Sequence, residues 1–170
     1  MGVRDVISYN AASMQTNLMY SAPLRFFLAY EWLSAGTEKL QSLATNPAAF
    51  IKGMTGAFSG WAAGNPNPSV AGFLKSFVVP NAGAIVWMVA ICEFLVGLSF
   101  LLGFFARPAA VGGMTMSGFF YFAAGFSSPS TAGINLIMVG SQATMLLISP
   151  GRFAGLDYFM HKRFARIPLW

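Results

Sequence analysis

At 170 residues, with 56% hydrophobic and only 9% charged residues and a mean hydropathy of +0.61, the chain falls far below the ~25% charge of a soluble domain, which excludes that class. Its length accommodates one membrane domain, residues 1–170, and no separate soluble catalytic module. The net charge of +5 does not signal nucleic acid, because the basic residues gather at helix ends and in the tail, where a membrane protein places them.

Residues 1–17 have no apolar run followed by a small-residue cleavage site, which predicts a retained polar arm rather than a signal peptide. Four apolar stretches follow, each near the ~20 residues that a helix needs to cross the hydrocarbon. They run over about 18–43, 82–105, 108–126 and 132–149. The first is the least apolar and carries Arg25, Glu31, Glu38 and Lys39; the second is interrupted only by Glu93. Asn81 is suited to cap the second, and Pro108 to the first turn of the third. Pro150-Gly151 stops the fourth. The expected fold is therefore an all-α, four-transmembrane-helix bundle.

The connection over 44–81 is not a disordered linker. Phe50, Ile51, Met54, Phe58 and Trp61 recur at helical spacing, and Val70, Phe73, Leu74, Phe77 and Val78 do so after the Asn65-Pro66-Asn67-Pro68 turn. Two interfacial amphipathic helices account for both runs, with Lys52 and Lys75 on the wet side and available, weakly, to an anionic substrate. A short amphipathic helix is expected in 150–170, with Leu156, Phe159, Met160 and Phe164 on one face. Asp157, His161, Lys162 and Arg166 fall mostly on the other. Seven of the ten Lys and Arg residues fall on the side of the termini and three on the side of the long loop. This bias places both termini in the cytoplasm, with the chain as a multi-pass protein of the cytoplasmic membrane.

Charges at bilayer depth cost about 2.5–3.5 kcal/mol each on insertion scales, so they are the first candidates for chemistry. Antiparallel running brings Glu31 and Glu93 to nearly the same depth, with Arg25 between them and the cytoplasm and Arg107 at that membrane face. Two readings stand side by side: a buried acid pair poised by arginine in a proton path or quinone pocket, and an ion-pair network that fixes helix packing. Asn135 and Gln142 share a face of the fourth span and are expected to form interhelical hydrogen bonds. Ala109, Gly113 and Ser117 make a small-residue stripe suited to close packing. Cys92 is the only cysteine and His161 the only histidine, so this chain alone offers no intrachain disulfide, CxxC pair, Cys-ligated cluster or bis-histidine haem. There is no nucleotide-binding glycine motif and no motif for a covalently bound cofactor or a metal.

Several runs, in order, carry a resemblance. They are Leu24-Arg25-Phe26 and Glu31 through Gly36-Thr37-Glu38-Lys39-Leu40, then Phe73-Leu74-Lys75 and Val79-Pro80-Asn81. Glu93-Phe94-Leu95-Val96-Gly97 follows, then Leu101 to Ala110 with Gly103 and Arg107, and finally Ser149-Pro150-Gly151-Arg152 with Leu156-Asp157. Over Leu24 to Asp157 the chain resembles the DoxX/DoxD family of four-helix membrane proteins, with Arg107, Arg152 and Asp157 among the shared structural positions. The resemblance implies a membrane subunit of a quinone-linked redox assembly of the thiosulfate:quinone oxidoreductase type, working with partner subunits and with quinone as the cofactor. The alternative is a non-catalytic accessory subunit packing on a larger respiratory or photosynthetic complex.

Overall fold

A computed structural model describes residues 21–148, 151 and 155–164. The arm expected over 1–17, Arg152 and Arg166 lie outside the described residues. Within them the chain is helical, without strands. The elements are α1 (Ala22–Thr45), α2 (Pro47–Gly64), α3 (Pro68–Phe73), α4 (Ala82–Leu102), α5 (Ala106–Ala124), α6 (Pro129–Ile148) and α7 (Asp157–Arg163). A π-helical turn, Leu74–Val78, extends α3, and a 3₁₀ turn, Gly125–Ser127, extends α5.

Three helices are long and apolar enough to cross a membrane: α4, α5 with its 3₁₀ extension, and α6. The chain is thus a multi-pass membrane protein. The first expected span, about 18–43, corresponds to α1, which is 24 residues long and holds Arg25, Glu31, Glu38 and Lys39. Each boundary follows local chemistry. Pro23 and Pro47 sit in the first turns of α1 and α2, where a missing N–H costs nothing. Gly103, at φ 59°, ends α4 in the left-handed region that glycine enters without strain. Asn81 occupies the N-cap position of α4, but its side-chain amide donates back to the Phe77 carbonyl at 2.8 Å instead of capping.

The bundle is built from two antiparallel pairs, α1 with α4 and α5 with α6. In the first pair the backbones touch at two reciprocal glycines. A Cβ on Gly36 would lie 2.5 Å from the Phe94 nitrogen, and one on Gly97 would lie 2.5 Å from the Leu33 nitrogen. Small residues let helices approach where lipid offers no hydrophobic drive to association. In the second pair, the expected small-residue stripe is the packing face: Ala109, Gly113 and Ser117 are buried, and Gln142 Nε2 donates to Ser117 Oγ at 3.2 Å.

Two apolar clusters fill the interior. One gathers Leu28, Ala29, Trp32, Val96 and Phe100 with residues of α5 and α6. The other gathers Leu43, Phe58, Leu74, Val78, Ala82, Val86, Ala90 and Ala123. The helices expected in the long connection form at 47–64 and 68–78, and their apolar residues Phe50, Ile51, Met54, Trp61 and Val70 pack onto this second cluster. They cover one end of the bundle. Lys52 and Lys75 are exposed, as expected.

The tail helix corrects the expected facing. Asp157 is buried at 1% exposure, whereas Leu156, Phe159 and Phe164 are exposed. The reason is local: α5 starts after a left-handed Phe105, and its first N–H groups have no acceptor within the helix. Asp157 accepts from Phe105 N at 2.8 Å and from Ala106 N at 3.0 Å, and its own N–H donates to Gly103 O at 2.8 Å. A carboxylate at a helix N-terminus is favourable on both hydrogen-bonding and dipole grounds.

Candidate functional site

Between the two apolar clusters α4 presents Glu93 to α1, and the partner it meets is Lys39. Lys39 Nζ lies 2.7 Å from Glu93 Oε2, with the carboxylate 3% and the lysine 25% exposed. A second ammonium contact goes to Ala35 O at 3.4 Å. An ammonium has three donors, so one remains for another acceptor. Placing two charges at this depth is costly, and their mutual proximity offsets part of that cost.

The pair forms part of the wall of a cavity of about 320 Å³. All the long helices contribute to it. Phe58 and Trp61 of α2 and Phe119 and Phe120 of α5 supply aromatic faces, and α6 adds Thr131 and Asn135. The Phe58 and Trp61 rings stand 5.4 Å apart and tilted by 55°. The turn after α2 is pinned over α5: Asn65 Nδ2 donates to the carbonyls of Phe122 and Ala123 at 2.9 and 3.2 Å. Asn67 Oδ1 in the same turn accepts from Ser69 N and Val70 N and starts α3. This cavity holds a charge pair, an amide and several aromatic faces behind apolar walls, the usual composition of a small-molecule site.

The expected cluster of Glu31, Glu93 and Arg25 does not assemble. Arg25 is buried at 1% exposure and lies at the other end of α1, where its Nη1 approaches Gly103. Gly103 is ten residues, or about 15 Å, along α4 from Glu93. There the Phe26 ring lies 4.8 Å from the guanidinium carbon, and Asp157 acts on it electrostatically. The helix register explains the difference. Gly36 against Phe94 and Leu33 against Gly97 set Lys39 beside Glu93 and carry Arg25 past the end of α4. Glu31 is half-buried about 12 Å along α1 from Lys39; its backbone carbonyl accepts from Ser34 Oγ at 3.0 Å.

The other candidates separate by place. Arg107 Nε donates to Leu146 O at 3.2 Å, tying the start of α5 to the end of α6. Gln142 makes the expected interhelical bond, but Asn135 does not: its amide donates to Thr131 O of its own helix at 2.8 Å, and it lines the cavity instead. Lys52 and Lys75 do not line this cavity. Lys39 stood in the sequence only as one of the four charges of the first stretch, and the glycine-set register shows that it answers Glu93. Among the described residues no three His, Cys, Asp or Glu side chains converge.

The family model described as "TQO small subunit DoxD" matches residues 20–169. No solved structure matches the chain.

Proposed function

Since the chain belongs to the DoxD family, the membrane subunits of thiosulfate:quinone oxidoreductase-like proteins, we propose that the Lys39–Glu93 cavity receives the ring of a quinone and that Glu93 carries protons to it. One observation supports this most: the charge pair borders a cavity of about 320 Å³ that is otherwise apolar and aromatic. The residues fit a quinone. Aromatic faces at Phe58, Trp61, Phe119 and Phe120 suit a flat ring, and the remaining Lys39 donor suits a carbonyl oxygen. A bound quinone supplies a two-electron, two-proton acceptor.

The chain's own part is acid–base and electrostatic. Lys39 provides a fixed positive charge where negative charge develops, in a site whose apolar walls strengthen it. Glu93 Oε2 is held by Lys39, while no hydrogen bond to Oε1 is found among the described residues, so that oxygen can take and release a proton toward the cavity. In this reading Arg25, Asp157 and Arg107 anchor the opposite end of the bundle, and Glu31 lies outside the proton-transfer pair.

The same reading takes α1 as a fourth span and α2 with α3 as helices lying along the outer interface. Both termini are cytoplasmic, and the membrane is the cytoplasmic one. The Lys and Arg distribution, seven to three, supports this orientation. It puts the α2–α3 cover, and with it Lys52 and Lys75, on the side from which an anionic sulfur substrate would arrive.

The test is turnover. Purified protein, alone and with co-purifying partners, is expected to reduce a quinone analogue when thiosulfate is added. Glu93→Gln, compared at equal amounts of folded protein, is expected to abolish that rate. Intact protein without turnover under either condition overturns the proposal. A second reading, a non-catalytic accessory subunit, draws on α6, whose Ile134, Leu136, Ile137 and Leu147 stand exposed. Native electrophoresis in mild detergent distinguishes the two, since an accessory subunit migrates with a larger complex.

A further inference from the structure

Beside the ring cavity lies a second cavity of about 280 Å³, and the two share a wall formed by Ile85, Val89, Phe119 and Phe120. Their chemistry differs. The first holds Lys39, Glu93 and Asn135; the second presents no polar surface and is lined by Phe77, Met88, Cys92 and Thr115 among others. Its rim is open at Phe77, 53% exposed, and at Met88 of the apolar span α4, 57% exposed. A ligand spanning both cavities must therefore have a polar, flat head and an apolar chain that leaves toward the bilayer.

The rim is shaped by an unusual piece of backbone. Leu74–Val78 is a π-helical turn, with Val79 N donating to Leu74 O at 2.9 Å. Single π turns often mark functional sites. Here the turn buries Leu74 and Val78 in the bundle while the Phe77 ring stands outward, stacked on Phe73 at 5.3 Å. Phe73 in turn meets Phe119 edge-on at 6.3 Å, joining the rim to the shared wall.

Resting on the quinone reading above, we propose that this second cavity is the groove for the quinone's isoprenoid tail, so that the substrate enters sideways from the membrane between the π turn and α5. The wholly apolar lining favours a chain over a second ring or an anion. Because Ile85, Val89, Phe119 and Phe120 line both cavities, a ring in the first lies directly beside the second, and this adjacency makes the tail of the same molecule the occupant rather than a separate lipid. Cys92 and Thr115 line this groove and not the ring cavity, so they can be used to fill it selectively.

The experiment compares the binding of 2,3-dimethoxy-5-methyl-benzoquinone and its 6-decyl derivative to wild type, Cys92→Phe and Thr115→Phe in one detergent. Detergent partition is then common to all three proteins. Each substitution is expected to weaken the decyl compound about tenfold, the worth of burying roughly two methylene groups, and to leave the tailless ring unchanged. Thr115 is exposed, so its variant keeps the test open if the Cys92 variant does not fold. Unchanged decyl binding in a folded variant overturns the tail groove while leaving the ring cavity standing, and would give the groove to a lipid chain. Equal loss of both ligands also overturns it. Failure of wild type to bind either compound instead removes the quinone reading itself.

Discussion

Removing the Glu93 charge separates a structural ion pair from a chance contact. Lys39 and Glu93 lie 2.7 Å apart, and at an effective dielectric of 20 their attraction is roughly 6 kcal/mol before desolvation is counted. Desolvation offsets most of it, but taking away one partner leaves the other charge uncompensated, which costs about 3–5 kcal/mol for a fully buried pair. Lys39 is a quarter exposed and can turn partly to water, so Glu93→Gln is expected near the lower end, about 3 kcal/mol. For a chain of this length that is a loss of about 6–12 °C in Tm, read by thermal unfolding in detergent. Lys39→Met added to Glu93→Gln is expected to recover about 1–3 kcal/mol, as contacting sites do in a mutant cycle. The contrasting cycle is Arg25→Gln with Glu93→Gln: these sites are about 15 Å apart along α4 and should add within about 0.5 kcal/mol. Additivity for Lys39 and coupling for Arg25 would refute the register on which the site rests.

Gly97→Leu drives a side chain into the Leu33 backbone and is expected to cost at least about 1–3 kcal/mol by overpacking, with a lower Tm and weakened α1–α4 pairing. Asp157→Ala removes the acceptor for Phe105 N and Ala106 N; a loss of about 1–2 kcal/mol is expected, and hydrogen exchange should rise first at the start of α5. Cysteine introduced at Asn67 should react with an impermeant thiol reagent from outside the cell, and a reporter fused after Trp170 should be active only inside. Labelling at Asn67 from the cytoplasmic side alone would invert the orientation.

Much of the architecture can be read from sequence because hydrophobic length and helix punctuation are local signals. The helices α4, α5 and α6 begin and end within a few residues of Pro80-Asn81, Gly103, Pro108 and Pro150-Gly151, and the two runs after Asn46 and Asn67 do form helices. Glu93 could be singled out for the same reason, since a charge in an apolar span needs no partner to be noticed. What it faces could not, because pairing depends on register between helices. Depth alone matched Glu93 with Glu31, whereas two glycines, each against the other helix's backbone, slide the pair so that Lys39 comes opposite. Asp157 shows a second limit. Helical periodicity put it on the wet face of the tail, but the bare N–H groups at the start of α5 draw it inward. Nothing in the spacing of the tail announces that need. The aromatic cavity wall was hidden likewise: Phe58 and Trp61 read as the apolar face of an interfacial helix until α2 folds over the bundle.

Photolabelling with an azido-substituted benzoquinone tests most directly whether the cavity holds the ring. After irradiation of the purified protein and mass spectrometry of its peptides, adducts are expected on the segments around Met54–Trp61, Phe119–Ala124 and Thr131–Asn135, and excess decyl-benzoquinone should suppress them. Adducts confined to other helices, or labelling that does not compete, would contradict the assignment.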